Sequence, residues 1–160
     1  MELSELTKRI PHQGVLQPSA PPAAEPAPLA LDLADIMANV EDQDRGRWLE
    51  LVDPFRGQPT GIRFRIAGPD SETQRRARLK IVDELAEMAD DTGRVSADAR
   101  EKARINSLAR CVLGWEITEE GGPVPFSHAN VVRVLRAAAW LQAQVDDFAG
   151  DRRNFRPEGR

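Results

Sequence analysis

Half of the chain's 12 prolines lie between Pro11 and Pro28. Each fixes its own φ and removes an amide donor, so Pro18, Pro21, Pro22, Pro26 and Pro28 together exclude a helix or an interior strand. Alanine fills many of the positions between them, leaving few side chains able to pack. Residues 11–30 are therefore expected to be a disordered, polyproline-like linker, and the core must come from residues C-terminal to it.

Before the linker, Leu3, Leu6 and Ile10 can form a brief amphipathic turn that Pro11 stops. After it, Leu33, Ile36, Met37 and Val40 recur at helical spacing in an acidic segment, predicting a short helix over 32–40 capped by Asp32. An amphipathic segment on a linker suits partner binding; packing on the protein's own core is the equal alternative. Residues 1–44 are thus read as an arm, 45–156 as the folded domain and 157–160 as a flexible end.

The length of 160 residues allows one compact domain beside such an arm. The net charge of -4 argues against general nucleic-acid binding, although the acidic excess lies mostly in residues 1–44 and the remainder is rich in arginine. A single cysteine, Cys111, excludes an internal disulfide and a Cys-rich zinc site, and its apolar neighbours predict a buried thiol. Apolar runs are too short for a membrane span, and no basic start leads into an apolar stretch as in a secretory signal. A cytoplasmic protein is expected.

Within the domain, Trp48, Leu49, Leu51 and Val52 read as a strand, and Asp53 to Gly61 carry turn chemistry. Ile62, Phe64 and Ile66 then alternate with Arg63 and Arg65, the clearest strand of the chain. A bare hairpin is marginal in water, so its apolar face must meet helices or another chain. The first long helix follows Asp70 and Ser71 and runs to about Asp90, with Leu79, Val82, Leu85, Ala86 and Ala89 as its apolar stripe, edged by Ile81 and Met88. Ser96 caps a second helix carrying Ala103, Ile105, Leu108, Ala109 and Val112, with Gly114 as its stop. Trp115 to Ile117 is a short strand or an extended turn, Glu119 to Gly122 a tight reversal, and Pro123 to Phe126 extended. Ser127 caps a last helical region reaching about Ala149, as one helix or as two bent near Ala137–Trp140; Phe155 can tuck against the domain. The expected fold class is mainly α (α+β), a small N-terminal β-hairpin followed by three or four packed helices.

The chain has no HExxH, P-loop, EF-hand or GxGxxG spacing. His128 stands beside Ser127 at a helix start, but neighbours in sequence do not make a nucleophile and its base, and a triad needs an orienting carboxylate. Glu84, Glu87, Asp90 and Asp91 read as a solvated helix face. No catalytic residue, metal site or cofactor is expected, and the chain is read as a non-enzyme.

Arg63 and Arg65 on a strand, with Arg75, Arg76 and Arg78 on a helix, form a candidate basic surface able to meet phosphates. Interspersed Asp70, Glu72 and Asp83 favour a charge-balanced surface instead. Trp115, Phe126, Trp140 and Phe148 are the candidate centre of a partner-binding groove, since aromatic anchors often dominate interfaces. A domain with only three Trp, five Phe and no Tyr has equal need of them in its core.

Several short elements carry a family resemblance. They are Asp53-Pro54 through Gly61, Ile62-Arg63-Phe64-Arg65-Ile66, Gly68-Pro69-Asp70-Ser71, Val112-Leu113-Gly114-Trp115, Glu119-Glu120-Gly121-Gly122, Pro123-Val124-Pro125-Phe126-Ser127, Asn130-Val131, and Gln144, Val145, Phe148 and Asn154-Phe155. Over residues 48–156 this pattern resembles the tail assembly chaperones of siphophages and prophages. The resemblance implies a protein without catalytic residues or cofactor. It would bind a helical tail protein of the tape-measure kind and keep it soluble during virion morphogenesis in the bacterial cytoplasm. The Pro/Ala-rich segment 11–30 departs from that group. It leaves room for a structural component of the tail or head-tail connector, resident in the virion; a nucleic-acid-associated regulator is the third reading. Homo-oligomerisation is left open.

Overall fold

The computed structural model describes residues 19–157. The amphipathic turn expected in residues 1–10 and the last three residues lie outside this range. The chain divides into two units between Ala30 and Leu31. In the first, residues 19–30 carry no helix or strand and are exposed throughout. The second holds every described helix and strand, so the folded unit starts at Leu31 and not at 45.

It opens with α1, Leu33–Arg45, which continues beyond the expected 32–40. Asp32 accepts the Asp35 amide at 3.0 Å and Asp35 accepts the Asp32 amide at 3.1 Å, a reciprocal cap satisfying two free amides of the first turn. Gly46 ends the helix at φ +76°, where a Cβ would stand 2.8 Å from the Ile66 carbonyl oxygen. Only glycine allows the chain to turn there into the sheet.

The sheet has three antiparallel strands in the order β1-β2-β3: Arg47–Val52, Pro59–Ile66 and Val112–Glu116. The expected hairpin is β1-β2. The added strand takes up Val112 and Gly114, so Gly114 is no helix stop; it pairs with Arg65 in the middle of β3. Period-two alternation sorts the faces. Leu49, Phe64 and Trp115 lie in register on the inner face, and Glu50, Arg63 and Glu116 on the outer one. A two-residue hairpin joins β4, Thr118–Glu119, to β5, Gly122–Pro123. Glu120 at φ 50° and Gly121 at φ 82° supply the two positive φ angles that such a tight turn requires.

Ser71, Ser96 and Ser127 each accept an amide from the first turn of the next helix, α2 (Glu72–Glu87), α3 (Ala97–Arg110) and α4 (His128–Ala137) respectively. The last helical region is two helices, α4 and α5 (Ala139–Gly150), separated by Ala138 in extended conformation at φ -156°, ψ 140°. The Gln142 side chain donates to the Leu135 carbonyl at 2.8 Å, satisfying an acceptor that the break releases. Helix α2 packs on α3, α3 on α4, α4 on α5, and α5 against β1 and β2. Phe64, Ile66, Leu51, Val131, Leu135, Val145 and Phe155 form the most deeply buried part of the core. Phe155 belongs to a terminal 3-10 turn, Arg152–Phe155, and is 1% exposed.

The apolar stripe expected on α2 is a second correction. Leu79 and Val82 face solvent at 54% and 63% exposure, while Gln74 and Ala77 are buried. The Gln74 amide nitrogen donates to the carbonyls of Ala67 at 2.8 Å and Ala149 at 2.9 Å. These bonds, with the burial of Ala77, fix which side of α2 faces the domain.

Candidate functional site

Helix α1 is anchored by polar groups in its C-terminal half. Gln43 is 2% exposed. Its side chain donates to Asn39 Oδ1 at 2.8 Å and accepts the Asp70 amide at 2.9 Å; its carbonyl accepts the Gly68 amide at 2.9 Å. Asp44 receives the amides of Glu72 at 3.0 Å and Thr73 at 2.9 Å, together with the Thr73 hydroxyl at 2.9 Å. One helix thereby caps the start of another, placing a negative charge where the free amides of α2 favour it. Asp42 pairs with Arg47 and Arg45, and Asn39 donates to the Phe155 carbonyl at 3.3 Å.

Burial alone would raise the Asp44 carboxyl, but its three donors hold it below the usual range. Asp42 and Asp70 are lowered chiefly by hydrogen bonds from Arg47 and Arg152 respectively.

The apolar residues of α1 are not part of this anchor. Leu33, Ile36 and Met37 are 70%, 54% and 57% exposed, and Leu31 just before them is 54% exposed. Spaced three and four apart, Leu33, Ile36 and Met37 lie on one side of the helix. Fully burying a side chain of this size stabilises by about 1.5–3 kcal/mol. With these side chains 54–70% exposed, roughly half to two thirds of that gain remains to be made by further burial.

The four candidate aromatics do not gather around one groove. Trp115 packs edge-on against Phe64 with ring centroids 5.8 Å apart, and its indole donates to the Val124 carbonyl at 2.9 Å. Phe126 meets the same indole, also at 5.8 Å, and is 47% exposed. Phe148 instead contacts Phe155 at 5.4 Å. Trp140 packs on the core and has no ring contact among the described residues. These side chains belong mainly to the protein's own packing, and Phe126 is the most open of them.

Most of the basic candidates are already engaged. Arg63 pairs with Glu116 at 3.1 Å and lies over the Trp48 ring at 4.6 Å. Arg75 and Arg76 both bind Glu72, which Arg75 first and then Arg76 hold down to about 2. Arg78 donates to the Pro69 carbonyl at 3.0 Å. Arg65 is exposed on the outer sheet face, with Gly114 beside it.

Cys111 is buried, and desolvation pushes its thiol up to about 11, which disfavours the reactive thiolate. It lines a small cavity of about 190 Å³ with Ala77, Leu108 and Ala149. His128 is exposed at the start of α4; partial burial, with Arg110 nearby, lowers its pKa. Among the described residues no three His, Cys, Asp or Glu side chains converge on a point able to hold a metal ion. No helix among them is long and apolar enough to cross a membrane.

The sequence contains a signal for the exposed α1 side, namely the spacing of Leu33, Ile36 and Met37. It contains no comparable signal for the polar anchor, because Asn39, Gln43 and Asp44 find their partners across long stretches of chain. No protein-family model, curated protein or solved structure matches this chain.

Proposed function

We propose that this chain is a non-enzymatic assembly adaptor of the phage tail chaperone type, acting in the bacterial cytoplasm. It holds a helical tail protein, of the tape-measure kind, on the exposed side of α1. One observation carries the reading: α1 is capped at its start and anchored at its end, yet keeps Leu33, Ile36 and Met37 in water. A fixed helix with anchors at this spacing matches helix-in-groove or helix-on-helix recognition. Nearly all the candidate arginines are held in ion pairs or carbonyl contacts, which gives the nucleic-acid reading less support.

The test is co-expression of the full chain with its genomic neighbours, followed by mass spectrometry of what it retains and of finished particles. A long helical tail protein retained by the chain, with the chain missing from particles, supports the proposal. Stoichiometric presence in particles would make it a structural subunit of the tail or connector, and retention of no neighbour would remove the adaptor reading.

A further inference from the structure

The segment that carries the exposed α1 side has one sign of charge. No lysine or arginine occurs between Arg9 and Arg45, while Glu25, Asp32, Asp35, Glu41, Asp42 and Asp44 all fall in that interval. Asp42 and Asp44 face the domain, where Asp42 pairs with Arg47 and Arg45 and Asp44 accepts the α2 amides. Asp32 accepts the Asp35 amide at the start of α1, which orients its carboxylate. Glu41 is exposed one turn beyond Met37. The apolar residues therefore sit between two acidic ends, with no cation on the same segment before Arg45, which is itself paired with Asp42.

From this geometry we infer that the occupant of the α1 side is an amphipathic helix with lysine and arginine flanking its apolar face. The inference rests on the adaptor reading and specifies its partner. From Leu33 to Met37 the exposed stripe is about 6 Å long at 1.5 Å per residue, about one turn of a facing helix, with the half-buried Val40 at its inner end. Met37, unbranched and polarisable, adapts to differing apolar surfaces. Basic flanks on the partner would answer Asp32 and Glu41, raising the encounter rate and fixing orientation. A second copy of this chain is the poorer occupant, since pairing α1 with α1 sets carboxylates against carboxylates.

Fluorescence anisotropy of the full chain with two labelled helical peptides tests this. Both peptides carry the same leucine face; one is flanked by lysine and the other by glutamate. The lysine peptide is expected to bind at least about tenfold tighter. The preference should shrink between about 50 mM and about 300 mM salt as screening shortens. Ile36→Ser with Met37→Ser should abolish binding, and Glu41→Lys should weaken the preference. These positions are exposed, and unchanged circular dichroism would show that the variants fold.

Equal binding of the two peptides, binding of neither, or binding that survives Ile36→Ser with Met37→Ser would overturn the inference. So would self-association of the full chain that the same double substitution removes. Capture of a tail protein through α1 without peptide discrimination would overturn only the charge assignment. Discrimination with no captured tail protein would remove only the adaptor reading.

Discussion

Gln43 and Gly68 lock α1 to the rest of the fold. The Gln43 carbonyl accepts the Gly68 amide at 2.9 Å, and the Gln43 side chain lies over the bare Cα, where a Cβ would come within 2.8 Å of its Cβ and Cγ. Gly68→Ala forces that side chain away from Asp70. The expected cost is about 1–3 kcal/mol, as for overpacking at a close contact. Urea denaturation measures the loss, and hydrogen exchange should place it in residues 33–45.

Acid should release the same latch. Asp42, Asp44 and Asp70 have folded pKa values below their ordinary ones, so their stabilising contribution is complete above about pH 4 and is lost as pH falls through the lowered values. Melting temperature followed from pH 6 down to about pH 2 should fall over that window. In Asp44→Asn the fall should be shallower. Asp44→Ala should cost about 1 kcal/mol at neutral pH, as for loss of a helix cap.

Gln144 guards the sheet edge at Val52. Its carboxamide accepts the Val52 amide at 2.9 Å and donates to the Val52 carbonyl at 2.7 Å, imitating the next strand of a ladder. Unpaired strand edges recruit other chains. Gln144→Leu should lower stability by about 1 kcal/mol and increase light scattering at high protein concentration.

Trp115 and Phe126 should separate core from surface. Trp115→Ala removes an indole that packs on Phe64 and bonds to Val124, and should cost about 3–5 kcal/mol. Phe126→Ala, at a half-exposed ring, should cost about 1 kcal/mol. Denaturant midpoints of the two variants give the comparison.

Cys111 should react with a thiol reagent at pH 8 only after unfolding, because burial holds its thiol at about 11. Absorbance assays with and without denaturant read this directly. Prompt reaction of the native protein would contradict the packing around α3.

Local features of the fold are legible in the sequence. The alternation from Ile62 to Ile66 marks β2, and Ser71, Ser96 and Ser127 mark three helix starts, because caps and period-two patterns depend on near neighbours. The α+β class follows from them. Features that depend on distant partners are harder to read. Val112 to Glu116 is a strand because β2 offers a free edge, and the broken helix at Ala138 is stabilised by Gln142 reaching back to Leu135. The orientation of α2 departs from its apolar stripe because the polar Gln74, and not Leu79 or Val82, is what the fold buries. The folded unit starts earlier than the apolar pattern indicates for a related reason. Gln43 and Asp44 anchor α1 through hydrogen bonds, to which hydrophobic periodicity is blind. The stripe of Leu33, Ile36 and Met37 is visible in the sequence; its outward direction requires the position of everything else.

Hydrogen exchange of the full chain, alone and bound to the protein it retains from its genomic neighbours, tests the central claim most directly. Added protection over Leu33–Val40 with the remaining elements unchanged is the result expected of a partner helix lying on α1. Unchanged exchange there, with protection appearing instead around Phe126 or along Leu79 and Val82, would contradict it.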